Sequence, residues 1–394
     1  GVVNVVDGRI AERQLDETLK GRAELRHDTV NRGRTAMVRI DASGADGALV
    51  LHADGVYRDQ DDYDTPDGEQ LNSFVETRTG ALGASWIGTE GFIGVSLSRY
   101  DNRYGNPGEP GDPAAGEAGV SLDMLQNRFE LKTGIVRDFW IFNGLRGSFA
   151  STDYEHTEFE GAEVGTFFSN EADEGRLELT HKPFGNWTGA VGLQAGNREF
   201  EAIGDEAFVP RTRTRSQGVF WMEHGQWNAL QVDLGARIDH VRTSAVGQPR
   251  RSFTPLSLSA GVLWRFDDAW RVTLNLDRAE RAPAEEELFA DGPHVATASY
   301  EIGDPTMREE RANQAEVGLH YHGDRIEAKA SLYYNRFDGF VYLADTGTGT
   351  LPGPGQESLP IRLWSQADAK FRGIEAELTT HLLDNDQGKL DLRV

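Results

Sequence analysis

Cysteine is absent from the 394-residue sequence. Its absence excludes a disulfide framework, a thiolate nucleophile, and zinc or iron–sulfur sites with cysteine ligands. Positive charge is also scarce, since 40 Lys plus Arg stand against 64 Asp plus Glu and the net charge is -24. Such a chain repels a phosphate backbone, so we expect no nucleic-acid partner.

Long apolar runs are missing too. Hydrophobic residues make up 38% of the chain, and no segment approaches the roughly 18 consecutive apolar residues that a transmembrane helix needs. The sequence therefore excludes a helical membrane span. It leaves a β-barrel open, because each barrel strand needs only about ten residues of alternating character.

Alternation with a period of two is the dominant pattern. Apolar residues fall on every second position of several segments, whereas no long stretch repeats them at the spacing of an amphipathic helix. The clearest alternating sets are Leu230, Val232, Leu234, Ala236 and Ile238; Trp270, Val272, Leu274 and Leu276; Leu256, Leu258, Ala260, Val262 and Trp264; and Ile326, Ala328, Ala330, Leu332 and Tyr334. Each set predicts a strand with one apolar and one polar face.

Short and long connections take turns between these strands. We predict short turns near 43–47, 87–91, 138–140, 183–186, 225–228, 267–269, 323–325 and 384–388. We predict long loops near 59–73, 101–125, 153–174, 199–213, 242–255, 279–311 and 343–365. This order is typical of an up-and-down meander with short turns at one end and long loops at the other.

A sandwich, a propeller and a transmembrane barrel are the three architectures that could contain this meander. About seventeen strands are too many for one sandwich, and no repeated motif marks propeller blades. Short periplasmic turns with long extracellular loops are typical of a transmembrane barrel. We therefore predict an all-β, antiparallel up-and-down transmembrane β-barrel. Because single-chain bacterial barrels have even strand numbers, we expect the chain to be a fragment with further strands beyond Val394.

Aromatic residues offer a separate indication, because barrels carry aromatic girdles at the membrane interface. They cluster near the short turns at Phe139, Trp140, Phe142, Phe184, Trp187, Trp221, Trp227, Trp264, Phe266 and Trp270. Packing at the ends of sheets in an ordinary β protein is the alternative explanation.

Three stretches carry a family resemblance. Residues 1–10 (GVVNVVDGRI), 277–322 and 365–378 (SQADAKFRGIEAEL) resemble parts of TonB-dependent outer-membrane receptors, which are 22-stranded barrels closed by a plug. The resemblance implies that residues 1–10 end the plug and that residues 11–394 form a truncated barrel. It also implies a location in the outer membrane of a Gram-negative bacterium.

Within that family, residues 277–322 resemble the zinc-transporting branch through Glu286-Glu287-Leu288-Phe289, Gly292-Pro293-His294 and Glu301-Ile302-Gly303-Asp304-Pro305. By this resemblance His294 is the first candidate barrel ligand and Glu223 the second, with Asp291 close to His294. His, Asp and Glu are also the metal ligands available without cysteine. A solvated acidic loop with an incidental His is the alternative.

Other polar groups admit two interpretations. His320 and His322 lie two apart on one strand face, which predicts a lumen contact more than a metal site. Acidic residues gather at Asp59, Asp61, Asp62, Asp64, Asp67 and Glu69, and at Asp153, Glu155, Glu158, Glu160 and Glu163. They either steer cations towards a negative mouth or form calcium-bridged contacts with lipopolysaccharide.

The resemblance implies an energised import receptor. Its expected partners are outer-membrane lipid and lipopolysaccharide, the TonB, ExbB and ExbD complex, and a metal ion or metal chelate; we expect a monomer that requires no cofactor. A receptor for a ferric siderophore, haem or cobalamin is one alternative, and a passive porin or adhesin is another. Catalytic motifs such as Gly-x-Ser-x-Gly or His-Glu-x-x-His are not found, so we predict a non-enzyme, with a phospholipase or protease barrel as the enzymatic alternative.

Overall fold

The computed structural model describes residues 7–108, 110–111, 119–204, 207–294, 297, 299–350, 358–385 and 388–394. Strands make up most of these residues, and one short α-helix interrupts them. The elements are β1 (Leu19–Asp28), β2 (Gly33–Gly44), β3 (Leu49–Gln60), β4 (Tyr63–Thr65), β5 (Gly68–Gln70), β6 (Val75–Ile87), β7 (Gly91–Gly105), β8 (Val120–Phe139), β9 (Phe142–Glu160), β10 (Glu163–His181), β11 (Trp187–Gly204), β12 (Thr212–Trp227), β13 (Leu230–Ala245), β14 (Arg251–Phe253), β15 (Leu256–Arg265), β16 (Trp270–Arg281), α1 (Glu285–Phe289), β17 (Asp291–His294), β18 (Ser299–Ile302), β19 (Glu310–His322), β20 (Ile326–Gly349), β21 (Pro360–Asn385) and β22 (Gly388–Arg393).

One 20-stranded sheet contains an antiparallel meander and three short loop strands, β14, β17 and β18. Long strands pair with their neighbours in chain order, from β1 with β2 to β21 with β22. Strands β4 and β5 form a separate hairpin. The sheet does not close among the described residues, since β1 pairs with β2 alone and β22 with β21 alone.

Apolar side chains line up across neighbouring strands on one face of this sheet. Leu193 of β11 lies opposite Val219 of β12, which lies opposite Ile238 of β13. These three side chains remain about half exposed, at 55%, 52% and 47%. An apolar row that stays exposed on a sheet of this kind identifies the outer face, while the alternate positions line the inside.

All eight predicted short turns lie where strands reverse. Examples are the connections from β6 to β7, from β10 to β11 and from β19 to β20. Aromatic residues gather at this end: Trp140 and Phe184 are 82% and 80% exposed, and the Trp187 and Trp227 rings lie 5.1 Å apart. We refer to this as the short-turn end and to the other as the long-loop end.

The prediction of a long loop at 153–174 is wrong. Strands β9 and β10 run through this segment and reverse within residues 161–162, so Asp153 and Glu155 belong to a strand. Loops at 199–213 and 343–365 are also shorter than predicted, because β11, β20 and β21 extend into them. The hydrogen-bond ladder continues here although charged residues such as Glu155 and Glu158 interrupt the apolar alternation.

A small core lies at the long-loop end. It consists of Phe253, Leu288, Phe289, Met307 and Val341, against which Val241, Ala245, Ala282 and Trp364 pack. Helix α1 contributes Leu288 and Phe289, which are 0% and 3% exposed. No helix within the described part of the chain is long and apolar enough to cross a membrane.

Residues 7–10 run along the inner wall near the short-turn end. Ile10 is 5% exposed, and a Cβ at Gly83 would lie only 2.0 Å from the carbonyl oxygen of Arg9. Arg9 also donates to Asp54, whose carboxylate contacts His52 at 2.7 Å. The wall therefore holds this segment closely. Residues 1–6 of the predicted plug end lie outside the described residues.

Candidate functional site

The loop between β16 and β19 is held at its base by charged side chains. Arg281 donates to both carboxylate oxygens of Glu287, at 2.8 and 2.9 Å, and to Glu310 at 3.1 Å. Glu287 also accepts the backbone N–H of Ala284 at 2.7 Å, which caps the start of α1. This network fixes the direction in which the loop leaves the barrel wall.

Strands β17 and β18 then form a hairpin whose two faces carry different groups. His294 lies opposite Ser299, and Gly292 lies opposite Glu301. Because alternate residues share a face, His294 and Glu301 lie on the same side of the hairpin. His294 Nδ1 is 2.9 Å from Glu301 Oε1. The carboxylate can only accept, so the ring carries its proton on Nδ1.

Glu301 is the most enclosed charged residue of this hairpin, with 1% exposure. Besides His294, it accepts hydrogen bonds from the Thr297 hydroxyl at 2.7 Å and from the Trp364 indole at 3.0 Å. Parallel pairing between β18 and β21 brings Trp364 to this position. Three donors satisfy a carboxylate that would otherwise be costly to bury.

The His294 ring is fixed in orientation on its other side by an aromatic contact. Phe208 stacks on it with a centroid distance of 4.3 Å and an interplanar angle of 15°. The His294 side chain is 29% exposed. A carboxylate on Nδ1 is the arrangement that commonly orients a metal-binding imidazole, because it leaves Nε2 as the ligand atom.

Asp291 does not join His294. It lies on the opposite face of the hairpin, where its carboxylate accepts a 3.0 Å hydrogen bond from Tyr300. Their three-residue separation places the two side chains on different faces of one strand, so proximity in sequence does not become proximity in space.

Glu223, the second predicted barrel ligand, lies away from His294. Glu223 lies near the short-turn end of β12, whereas His294 lies in a connection at the long-loop end. Glu223 accepts hydrogen bonds from His181 and Trp221, each at 3.0 Å. It shares the outer face with Trp221, because the two residues are two positions apart.

The remaining sequence candidates lie apart from this hairpin. His320 faces Arg271 and Lys329 on adjacent strands, and the His322 side chain is 78% exposed beside Glu327. Within the residues that the structure describes, no group of three or more His, Asp or Glu side chains is arranged to hold a metal ion.

Two pKa values in this loop are raised by burial. Burial raises the pKa of Glu286, which also lies beside Glu285 and Glu287. Burial raises the pKa of the Tyr300 phenol as well, and the nearby Asp291 carboxylate acts in the same direction. Tyr300 therefore remains a hydrogen-bond donor over the neutral pH range.

Sequence reasoning did not assign a role to Glu301, Trp364 or Phe208. Glu301 lies two positions after Ser299, which is the cross-strand partner of His294. Once the hairpin is known, this spacing places Glu301 on the same face as His294. Trp364 lies near the start of β21, and Phe208 lies in the connection between β11 and β12. Their proximity depends on how separate loops fold over one another, which the spacing of residues does not encode.

Comparisons with known proteins agree with this architecture. The sequence model of the family described as "TonB dependent receptor-like, beta-barrel" matches residues 19–393. Similar solved structures include the copper transporter OprC, with a TM-score of 0.76 and 17% identity over 95% of this chain and 61% of that one. The siderophore receptor PirA from Pseudomonas aeruginosa gives a TM-score of 0.67 and 14% identity over 93% of this chain and 63% of that one.

A third similar structure is the Serratia marcescens hemophore receptor HasR, solved with its hemophore HasA and heme. Its TM-score is 0.72 and its identity 13%, over 92% of this chain and 61% of that one. At such identities these likenesses show the fold, and this chain spans about three fifths of each structure's length. With the family match over residues 19–393, they show that the chain belongs to the TonB-dependent receptor β-barrel family, in the outer membrane of a Gram-negative bacterium.

Proposed function

We propose that this chain forms part of the barrel wall of a non-enzymatic receptor that imports a metal ion. We propose that His294 is a metal ligand on the extracellular side. The observation that carries the proposal is the His294–Glu301 pair at 2.9 Å, in which a buried carboxylate holds the ring by Nδ1. Nε2 then serves as the metal-binding atom. Zinc is the ion we favour, because an imidazole with carboxylate ligands suits it.

His294 supplies one ligand, and zinc sites commonly need three or four. We propose that the other ligands come from residues outside the described part of the chain. In this arrangement Phe208 and Trp364 hold the pair without touching the metal. Glu223 has no part in the site, and Asp291 acts only through its hydrogen bond with Tyr300.

A metal chelate is the second candidate. The similar structures are named as a copper transporter, a siderophore receptor and a hemophore receptor. These names support import of metal in free or chelated form, and they do not favour zinc over the others. Energy for import would come from the TonB, ExbB and ExbD complex, which we propose as the partner across the periplasm.

The test uses the full-length receptor, plug included, folded in detergent. Zinc titration by calorimetry should show stoichiometric binding. His294→Ala should weaken it at least about tenfold, because a ligand is lost, and Glu301→Gln should weaken it by about 10- to 100-fold, because the ring loses its orienting carboxylate.

His322→Ala is the matched control, since this imidazole is 78% exposed and lies in the last residue of β19, at the short-turn end. Its zinc affinity should equal that of the wild type. Equal loss in both His variants, or no loss in His294→Ala, would remove His294 from the site. If no zinc binds but copper or a ferric chelate does, the second candidate replaces the first.

A further inference from the structure

The outer face carries a groove of about 740 Å³ that spans strands β10 to β13. Its floor contains the apolar row of Leu177, Leu193, Val219 and Ile238. These residues are direct cross-strand neighbours, so the floor is continuous. In the next row towards the long-loop end, Gly175 and Ala195 are small, and this leaves room above the wall.

Two arginines stand at the rim of this groove. Arg215 and Arg242 are directly opposite each other on β12 and β13, in the row beyond Gln217 and His240. Both are exposed and share the outer face with Val219 and Ile238, because they lie an even number of positions from them. Like charges directly opposite each other on neighbouring strands destabilise a sheet unless an anion compensates them.

Carboxylates on the wall do not supply that compensation. Glu199, which lies nearby on β11, is bonded by Arg211 and Arg213. Arg215 donates to the Asn197 amide oxygen at 3.3 Å, and Arg242 donates to His240. Asp239 also lines the groove, but Arg237 on the inner face holds it with two hydrogen bonds. Within the described residues, neither Arg215 nor Arg242 forms an ion pair.

A second outer-face groove provides an internal comparison. It measures about 630 Å³, and its lining includes Leu82, Leu97 and Phe129. Its rim carries Arg99 together with Asp153, and Asp153 lies directly opposite Glu171. Two grooves of similar size and apolar character thus differ in rim charge, because carboxylates accompany the arginine of the second groove. Rim charge therefore distinguishes the β10–β13 groove.

We propose that the β10–β13 groove binds one lipid whose headgroup phosphate gives it a net negative charge, as in lipopolysaccharide and unlike a zwitterionic lipid. Acyl chains lie on the apolar row, and Arg215 and Arg242 hold the phosphate with charge-assisted hydrogen bonds. This site is separate from the hairpin that contains His294. It rests on the outer-membrane location and not on the identity of the imported ligand.

Native mass spectrometry of the full-length receptor in detergent tests this site with phosphatidic acid and with phosphatidylcholine of identical chains. The wild type should retain one equivalent of phosphatidic acid more tightly than phosphatidylcholine. The Arg215→Gln/Arg242→Gln variant should lose about 10- to 30-fold in phosphatidic acid affinity, since each basic residue near a lipid surface is worth several-fold. Its phosphatidylcholine affinity should not change.

Arg78→Gln/Arg99→Gln is the matched control, because these outer-face arginines lie beside Glu76 and Asp101. It should bind phosphatidic acid as the wild type does. Ala195→Leu fills the groove and should weaken both lipids. Unchanged phosphatidic acid binding in either the Arg215/Arg242 variant or Ala195→Leu would overturn the proposal. So would displacement of phosphatidic acid by an equal concentration of inorganic phosphate, because acyl chains would then contribute nothing.

Discussion

Several charged side chains in the loop between β16 and β19 have specific ion-pair or hydrogen-bond partners. Arg281 is shared by Glu287 and Glu310, and Glu285 pairs with Arg198 of β11 at 2.6 Å. Glu301 accepts three hydrogen bonds. Each pairing links the loop to a different part of the barrel, so these residues set the position of His294 although none of them needs to touch a ligand.

Glu286 differs from these neighbours, because burial raises its pKa. Its protonated form is favoured by folding, so its stabilising contribution is present below the unfolded-state pKa of about 4.3. That contribution is lost as pH rises through the higher folded-state pKa. We expect hydrogen exchange of residues 282–290, corrected for intrinsic rates, to show less protection at pH 8 than at pH 4.

Glu286→Gln should flatten this pH dependence, since a neutral amide mimics the protonated acid at all pH values. Glu309→Gln is the control, because Glu309 is only half-buried and accepts a backbone hydrogen bond from Thr254. An identical pH slope in the wild type and Glu286→Gln would show that Glu286 does not govern the loop.

Residue partners were the least predictable feature of the sequence. His294 lies in a hairpin, where its hydrogen-bond partner is Glu301, seven positions away, and not the nearby Asp291. The position of Glu223 along β12 was not predictable, because a family resemblance gives residue types without their height along a strand. Its neighbours His181 and Trp221 place it on the outer face.

Helix α1 depends on tertiary packing for its stability. Its five residues are far fewer than an isolated helix needs in water. Leu288 and Phe289 insert into the core at the long-loop end, and Arg281 holds Glu287 near the helix start. The helix therefore exists because the loop packs around it.

Leu288→Ala should cost about 2–5 kcal/mol of local stability, because a fully buried side chain leaves a cavity. Limited proteolysis of the folded receptor should then cut the 282–309 loop faster, while the barrel stays intact. Leu25→Ala is the control, since Leu25 is 86% exposed. Equal cleavage rates in both variants would show that Leu288 does not hold the loop.

Strand order was predictable because alternation and turn residues are local properties. The connections on both sides of β16, for example, follow the sequence pattern. Strand length beyond the apolar band was not predictable. In β9 and β10, Asp153 and Glu171 lie directly opposite each other where apolar residues would have marked a strand, yet backbone pairing continues. Hydrogen bonding between backbones carries no side-chain signature there.

At the scale of the whole molecule, the net charge of -24 is unevenly distributed. Acidic residues such as Glu171 project from the outer wall, Arg215 and Arg242 mark another sector, and further acids lie in the connection between β3 and β6. In that connection Asp62 accepts the backbone N–H groups of Asn72 and Ser73, so it has a structural role. Asp64, Asp67 and Glu69 are exposed and are the acids able to act at long range.

If these three acids steer cations, Asp64→Asn/Asp67→Asn/Glu69→Gln should slow zinc association about two- to fivefold at low ionic strength and leave dissociation unchanged. Stopped-flow tryptophan fluorescence of the full-length receptor measures both rates. The effect should shrink as salt shortens the Debye length to about 8 Å at 0.15 M.

Asp153→Asn/Glu155→Gln/Glu171→Gln is the control, because it removes equal charge from the outer wall and should leave association nearly unchanged. Equal slowing in both variants would mean that total charge matters and its placement does not. A wild-type association rate that ignores salt would remove steering altogether and favour the interpretation that these acids bridge lipopolysaccharide through calcium.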